Sequence, residues 1–266
     1  MCGRYALSAT PQEVRALFDH VDTPEFPPRY NIAPTQPIAT VRLSGNARRF
    51  ALVRWGLVPG WVKDPASFSL LINARAETAA EKPSFRAAMR HRRCLVPASG
   101  FYEWHRPQGG AKQPYWIRPR DGRLVAFAGL WEEWCDPDGG EIETGAILTV
   151  PANRTIGAIH HRMPAVIAPQ DFDAWLDVRS TPLAEACSLL TSPAEDLFEA
   201  VPVSTRVNSA RIDDEELTRP VAPEADSEAA PEAQPQAKAG TSPAPKPRKA
   251  ASGAISKADD DQLDLF

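Results

Sequence analysis

A chain of 266 residues, 43% apolar and with tryptophans scattered along it, is long enough for one substantial folded domain or two small ones. It holds no run approaching the roughly 18 apolar residues of a membrane-spanning helix, and its first residues lack the basic-then-apolar layout of a secretory signal, so a cytoplasmic protein away from membranes is expected. The net charge of −4 argues against a protein held to nucleic acid by bulk electrostatics, and four widely spaced cysteines (Cys2, Cys94, Cys135, Cys187) argue against a disulfide framework or a zinc site. Neither a metal nor another cofactor is expected, and the chain is expected to be a monomer. The charge is unevenly placed, however: arginines recur before residue 95, while acidic residues gather later, as in Asp213-Asp214-Glu215-Glu216.

In chain order, Cys2-Gly3-Arg4-Tyr5 opens into a strand-like segment. Thr10-Pro11-Gln12-Glu13 then reads as a helix start, with an N-cap, proline at the first helical position and glutamate at the third, before Val14, Leu17 and Phe18 at helical spacing. Strand-like runs follow at 38–43 and 50–58, a helical pattern at 82–91, strands at 115–118, 124–131 and 146–150, and helices at 169–176 and 183–190. Strands and helices mix without strict βαβ alternation, which predicts an α+β domain of antiparallel sheets, barrel-like in its core, with flanking helices. From about Arg219 the composition shifts to Ala, Pro, Glu, Lys and Ser with no aromatic residue before Phe266, so residues 1–218 are expected to form the domain and 219–266 a disordered tail. The tail is zoned by charge and ends in Gln262-Leu263-Asp264-Leu265-Phe266.

Cys2 carries the most distinctive chemistry. Removal of an initiator methionine before a small residue leaves an α-amine and a thiol on one residue, with ordinary pKa values of about 7.7–8.0 and about 8.5. An aldehyde meeting that pair is attacked by the amine to give a Schiff base, and the thiol then closes a five-membered thiazolidine, which resists hydrolysis far better than the imine. Gly3 permits close backbone approach, and Arg4 places a fixed positive charge beside the nucleophile.

The opening Met1-Cys2-Gly3-Arg4-Tyr5 is followed by Arg29-Tyr30-Asn31-Ile32-Ala33-Pro34, Trp55-Gly56-Leu57-Val58-Pro59 and Asn73-Ala74-Arg75-Ala76-Glu77. Then come residues 93–104 (RCLVPASGFYEW), Phe127-Ala128-Gly129-Leu130-Trp131, His160-His161-Arg162-Met163-Pro164 and Val207-Asn208. Together and in this order they resemble the SOS response-associated peptidase (SRAP) family over residues 2 to about 210. The resemblance implies a protein that senses abasic sites in single-stranded DNA and binds them covalently through Cys2 once Met1 is gone. Removal of Met1 by the protein itself, and an AP-lyase side activity, come with the same resemblance. It implies Asn73 as the active-site amide, Glu103 as the catalytic carboxylate and His160 as the catalytic histidine that protonates the ring oxygen of the opening sugar, whereas His161 falls where the motif varies. The apolar setting of Glu103 should disfavour its ionised form and suit it to shuttling protons.

The same resemblance implies that Arg4, Arg75 and Arg162 line a groove for the phosphates of single-stranded DNA, with Trp55 or Trp61 available for base stacking and Thr149 as a supporting contact. Val150 and Pro151 depart from the family's commoner residues after that threonine. The basic run Arg86, Arg90, His91, Arg92 and Arg93 either extends the groove or is a solvated helix face. The last five residues resemble the peptide by which bacterial replication and repair proteins bind the β sliding clamp, which would tether the domain near replication forks. Two other readings stay open: an N-terminal-nucleophile hydrolase, in which Cys2 cleaves peptides or amides, and a non-enzymatic single-strand binder.

Overall fold

Residues 2–107, 110–136 and 139–221 are described by a computed structural model, and among them the chain forms thirteen strands and six short α-helices. The strands are β1 (Tyr5–Leu7), β2 (Arg29–Ile32), β3 (Pro37–Ser44), β4 (Ala47–Trp55), β5 (Asn73–Arg75), β6 (Arg93–Ala98), β7 (Gly100–His105), β8 (Gln113–Pro119), β9 (Val125–Cys135), β10 (Glu141–Pro151), β11 (Arg162–Pro164), β12 (Val166–Ile167) and β13 (Phe198–Pro202). The helices are α1 (Pro11–Phe18), α2 (Ala76–Ala79), α3 (Arg86–His91), α4 (Arg154–Gly157), α5 (Phe172–Leu176) and α6 (Leu183–Ser188).

The expected α+β architecture with a barrel-like core is what these elements build. One sheet runs β13-β8-β7-β1-β2, antiparallel throughout. In the other, β4 pairs with β3, β3 with β6, β6 with β9 and β9 with β10, and β10 returns to β4, closing a five-stranded barrel. The closing contact, Thr144↔Arg54 and Gly145↔Trp55, is parallel, as is the pairing of β5 with β10, while the other ladders of this sheet are antiparallel as expected. Closure brings three strands together at Gly145, where a Cβ would lie 2.8 Å from Val53 Cγ2 and 3.2 Å from the Leu130 carbonyl oxygen. Glycine is the residue that lets the backbones approach there.

Aromatic rings cement the two sheets. Across the sheets, Tyr5 meets Trp55 edge-on at 5.5 Å between centroids and Phe101 meets Phe127 near-perpendicular at 6.0 Å, and within the first sheet Phe101 meets Phe198 near-perpendicular at 5.7 Å. Each such pair contributes roughly 1 kcal/mol beyond the area it buries. Helix α1 begins as the sequence predicts: the Thr10 hydroxyl accepts from the Glu13 N–H and the Glu13 carboxylate accepts from the Thr10 N–H, a complete capping box.

The predicted boundaries shift where local geometry intervenes. The run expected at 50–58 ends at Trp55 because Gly56 turns the chain at a φ of 133°. The helix expected at 82–91 is a turn followed by α3, and that expected at 169–176 opens as a 3₁₀ turn over Pro169–Asp171 before α5. No described helix is long and apolar enough to cross a membrane. The tail beyond Val221, including Gln262, Leu263, Asp264, Leu265 and Phe266, lies outside the described residues.

Candidate functional site

The two sheets bring the chemistry-bearing residues of four separate motifs to one place. Cys2 precedes β1 and is fully buried, its thiol donating to the Arg4 carbonyl at 3.6 Å. Strand β7 pairs with β1 through Tyr5↔Phe101, a register that places Glu103 across from Gly3 and beside Cys2. From the barrel side, β5 starts at Asn73, whose Nδ2 donates to the Cys2 carbonyl at 2.8 Å. The Asn73 Oδ1 is buried and accepts no hydrogen bond. His160 lies between α4 and β11, with Nδ1 3.7 Å from Glu103 Oε1 and 3.0 Å from the main-chain nitrogen of Arg162. At 3.7 Å the two side chains approach closely without a direct hydrogen bond. Thus Cys2, Asn73, Glu103 and His160, far apart in sequence, form one constellation.

Burial sets the protonation of this group. Glu103 is 3% exposed and desolvation pushes its carboxyl up to about 7. Desolvation pushes His160 down to about 4. Burial thus favours the protonated carboxyl of Glu103 and the neutral ring of His160. The Cys2 thiol is held well above the ordinary thiol range, by burial first and then by the nearby Glu103 carboxylate. It is a thiol rather than a thiolate, so a free amine on Cys2 would be the stronger initial nucleophile.

The residues expected to meet DNA divide into two groups. Trp55 is 0% exposed, with its indole N–H donating to the Ile72 carbonyl at 2.9 Å, so it is a core residue and not a stacking platform. Thr149 is also 0% exposed; its carbonyl and hydroxyl accept from Arg162, so it supports that side chain and makes no surface contact. Arg93 is buried and donates to the Met89, Trp175 and Asp177 carbonyls, closing the ends of α3 and α5, which removes it from any groove. Arg4 is engaged by Asn31 Oδ1 at 2.7 Å and the Val207 carbonyl at 2.6 Å, and Arg162 by Glu77 at 2.5 and 2.9 Å. Arg75 is exposed and makes no ion pair among the described residues, and Trp61, 60% exposed, stands edge-on to Phe68 at 5.7 Å.

Three contributors escaped sequence reasoning. Glu77 closes the bidentate pair with Arg162. Asn31, wholly buried, donates to the Val207, Ser209 and Ile212 carbonyls while accepting from Arg4, which pins the C-terminal segment under β1 and β2. Trp104 lies beside the Arg4 guanidinium at 6.0 Å and donates to Asn208 Oδ1 at 2.7 Å. All three lie in or next to quoted motifs, but their partners are distant in sequence. A cavity of about 820 Å³ between α1, α5 and β12, lined by Leu17, Val125, Ile167 and Phe172, contains none of the four clustered residues. Glu133, Cys135 and Glu141 could bring three ligand atoms within 4.8 Å of one another, but they are exposed on the β9–β10 hairpin and are not members of the constellation.

Comparison with known proteins identifies the family. The model of the SOS response associated peptidase (SRAP) family matches residues 1–210. The abasic site processing protein YoqW of Bacillus subtilis (strain 168) is 39% identical over 220 residues, spanning 82% of this chain and 98% of the relative. The abasic site processing protein HMCES of Gallus gallus is 35% identical over 83% of this chain and 78% of its own length. A crystal structure of a protein from Bacteroides thetaiotaomicron superposes with a TM-score of 0.75 at 27% identity, covering 83% of this chain and all of that one. On the extent of that match and the identity of those relatives, the chain belongs to the SOS response associated peptidase family.

Proposed function

We propose that this protein captures abasic sites in single-stranded DNA by forming a thiazolidine between Cys2 and the opened deoxyribose, shielding the lesion. The observation that carries the reading is the convergence of Asn73, Glu103 and His160 on Cys2, with the amide of Asn73 bonded to the Cys2 carbonyl at 2.8 Å. The names of the relatives, abasic site processing proteins, supply the substrate.

Removal of Met1, by the protein itself or by another peptidase, converts the Cys2 nitrogen to an amine. The unpartnered Asn73 Oδ1 then offers it an acceptor while Nδ2 keeps the carbonyl in place, and two anchors on one residue fix the direction of attack. Opening of the sugar moves a proton from the C1′ hydroxyl to the ring oxygen; protonated Glu103 can give a proton from one carboxyl oxygen while the other accepts one, so it stays protonated for the next step, with His160 close beside it. The amine attacks C1′, the carbinolamine hydroxyl takes a proton from Glu103 and leaves as water, and an iminium forms. The thiol adds to the same carbon and returns its proton to Glu103. One water is lost, one C–N and one C–S bond are made, and the carboxyl is restored.

Arg75 and Lys63, both exposed, are suited to phosphates, and Trp61 to a base. Residues 1–218 would form the working domain, a monomer in the cytoplasm, and the last five residues would dock to the β sliding clamp, a recruitment that fails if their deletion leaves clamp binding intact. An AP-lyase side activity would follow from the iminium, whose neighbouring C–H is acidified.

The test is to mix purified protein with a single-stranded oligonucleotide carrying one abasic site and to seek a denaturation-resistant adduct by gel and intact mass. An adduct of DNA with Met1-less protein, absent in Cys2→Ala, supports covalent capture. No adduct from processed protein, with cleavage of a peptide in trans, would replace it by the hydrolase reading.

A further inference from the structure

The residue that holds His160 is itself held. The Arg162 main-chain N–H donates to His160 Nδ1 at 3.0 Å, while the Arg162 carbonyl oxygen lies 3.1 Å from the same nitrogen. These two partners demand opposite states of the ring. Acceptance from the N–H puts the proton of neutral His160 on Nε2; donation to the carbonyl would put it on Nδ1. The two distances are nearly equal, so a small rotation of this residue decides the tautomer.

What limits that rotation is the far end of the Arg162 side chain. Its guanidinium is 10% exposed and grips both oxygens of Glu77, at 2.5 and 2.9 Å, and it also donates to the Thr149 carbonyl and hydroxyl. A planar bidentate pair fixes orientation as well as distance. Glu77 stands on α2, four residues after Asn73 on one continuous β5–α2 segment. The segment that positions the Cys2 carbonyl through Asn73 thus also grips the segment that carries His160. The β5–β10 and β10–β11 ladders join these strands through their backbones. The Glu77 contact is therefore not needed to hold the strands together, and what it adds is control of Arg162. The Arg162 guanidinium in turn holds the Glu77 carboxyl below the usual carboxylate range, so Glu77 stays ionised at neutral pH.

We propose that Glu77 is a positioning residue of the crosslinking site, holding Arg162 so that its main-chain N–H keeps His160 in the Nε2-protonated tautomer. The proposal rests on the crosslinking reading for its consequence but not for its geometry. It also gives Arg162 a role at His160 in place of free phosphate binding.

Glu77→Gln keeps the shape of the side chain and removes its charge, and Glu77→Asp keeps the charge on a shorter stem. Misplacement of a catalytic group by about 1 Å can cost on the order of 100-fold in rate, so Glu77→Gln is expected to slow adduct formation about 10-fold or more. Affinity for a lesion-free single strand should stay within about 2-fold, with Glu77→Asp recovering part of the rate. Nitrogen NMR of the His160 ring at neutral pH should show one tautomer in the wild type and a mixture in Glu77→Gln, which a merely structural role would not produce. Wild-type ring-nitrogen shifts and wild-type rate in Glu77→Gln would overturn the proposal. So would a loss of rate matched by an equal loss of lesion-free DNA affinity, because Glu77 would then serve phosphate binding. A wild-type protein that forms no adduct would overturn the crosslinking reading instead, and the ring nitrogens would still report on the Glu77 contact.

Discussion

Glu103 pays for its position in the fold with stability. In the unfolded chain its carboxyl has the ordinary value of 4.5, whereas in the folded chain burial raises it to about 7. The folded state therefore binds the proton more tightly, and stability falls as pH rises from about 4.5 to about 7. Above that window the ionised side chain costs up to about 3 kcal/mol. Glu103→Gln removes the cost, so at pH 8 it should be more stable than the wild type and at pH 4 about equally stable, by denaturant unfolding. The same variant should form adduct about 100-fold more slowly or worse, the usual range for a lost general acid. The wild-type rate should also lose its Glu103-dependent part above about pH 7, and that limb should vanish in Glu103→Gln. A variant both less stable and equally fast would refute the assignment.

At the scale of elements, buried polar ties decide which segments stay docked. Asn31 in β2 bonds to three carbonyls of the C-terminal segment and accepts from Arg4, all away from solvent. Asn31→Ala leaves those groups unpaired and is expected to cost about 3 kcal/mol, with faster amide exchange over residues 205–218. Unchanged exchange there would show that the segment is held by other means. Strand β7, which carries Glu103, depends on Gly100: a Cβ at that position would lie 2.4 Å from the Ile117 carbonyl oxygen and 2.6 Å from the Trp116 ring. Gly100→Ala should therefore lower the Tm and slow adduct formation together.

Much of this scale was legible in the sequence. The capping box of α1 could be read because all its parts lie within four residues, and β3 could be read from its β-branched run. Strands β6 and β7 went unread as strands: RCLVPASGFYEW is buried almost throughout and shows no alternation. The burial of Trp55 was readable and was missed. In β4, Leu52 and Arg54 face out while Val53 and Trp55 face in, and the outward arginine fixes the phase. The site residues were named through family motifs; their assembly, and the roles of Glu77 and Asn31, depend on partners dozens to nearly two hundred residues away.

At the scale of the whole molecule, the charge balance limits how DNA can be held. The net charge is −4, and several arginines of the described surface are already spent, Arg29 on Asp213, Arg42 on Glu143, Arg48 on Asp173 and Arg92 on Glu132, while Arg162 is buried against Glu77. Arg75, Arg54 and Lys63 are exposed and make no ion pair among the described residues, and the same holds for Arg86 and Arg90 on α3. About three phosphate contacts on a single strand imply a slope of about −2 in log K against log salt, and Arg75→Ala should reduce its magnitude by about 0.7. Trp61→Ala should weaken binding by about 1–3 kcal/mol at every salt concentration while leaving the slope unchanged, since stacking displaces no counterion. A slope steeper than about −4 would mean that the Arg86–His91 face is engaged as well, and the DNA path would have to extend across α3. Weak, salt-tolerant binding would suit the proposed covalent capture: non-covalent affinity would need to last only long enough for the amine to find an aldehyde, and undamaged strands would be released.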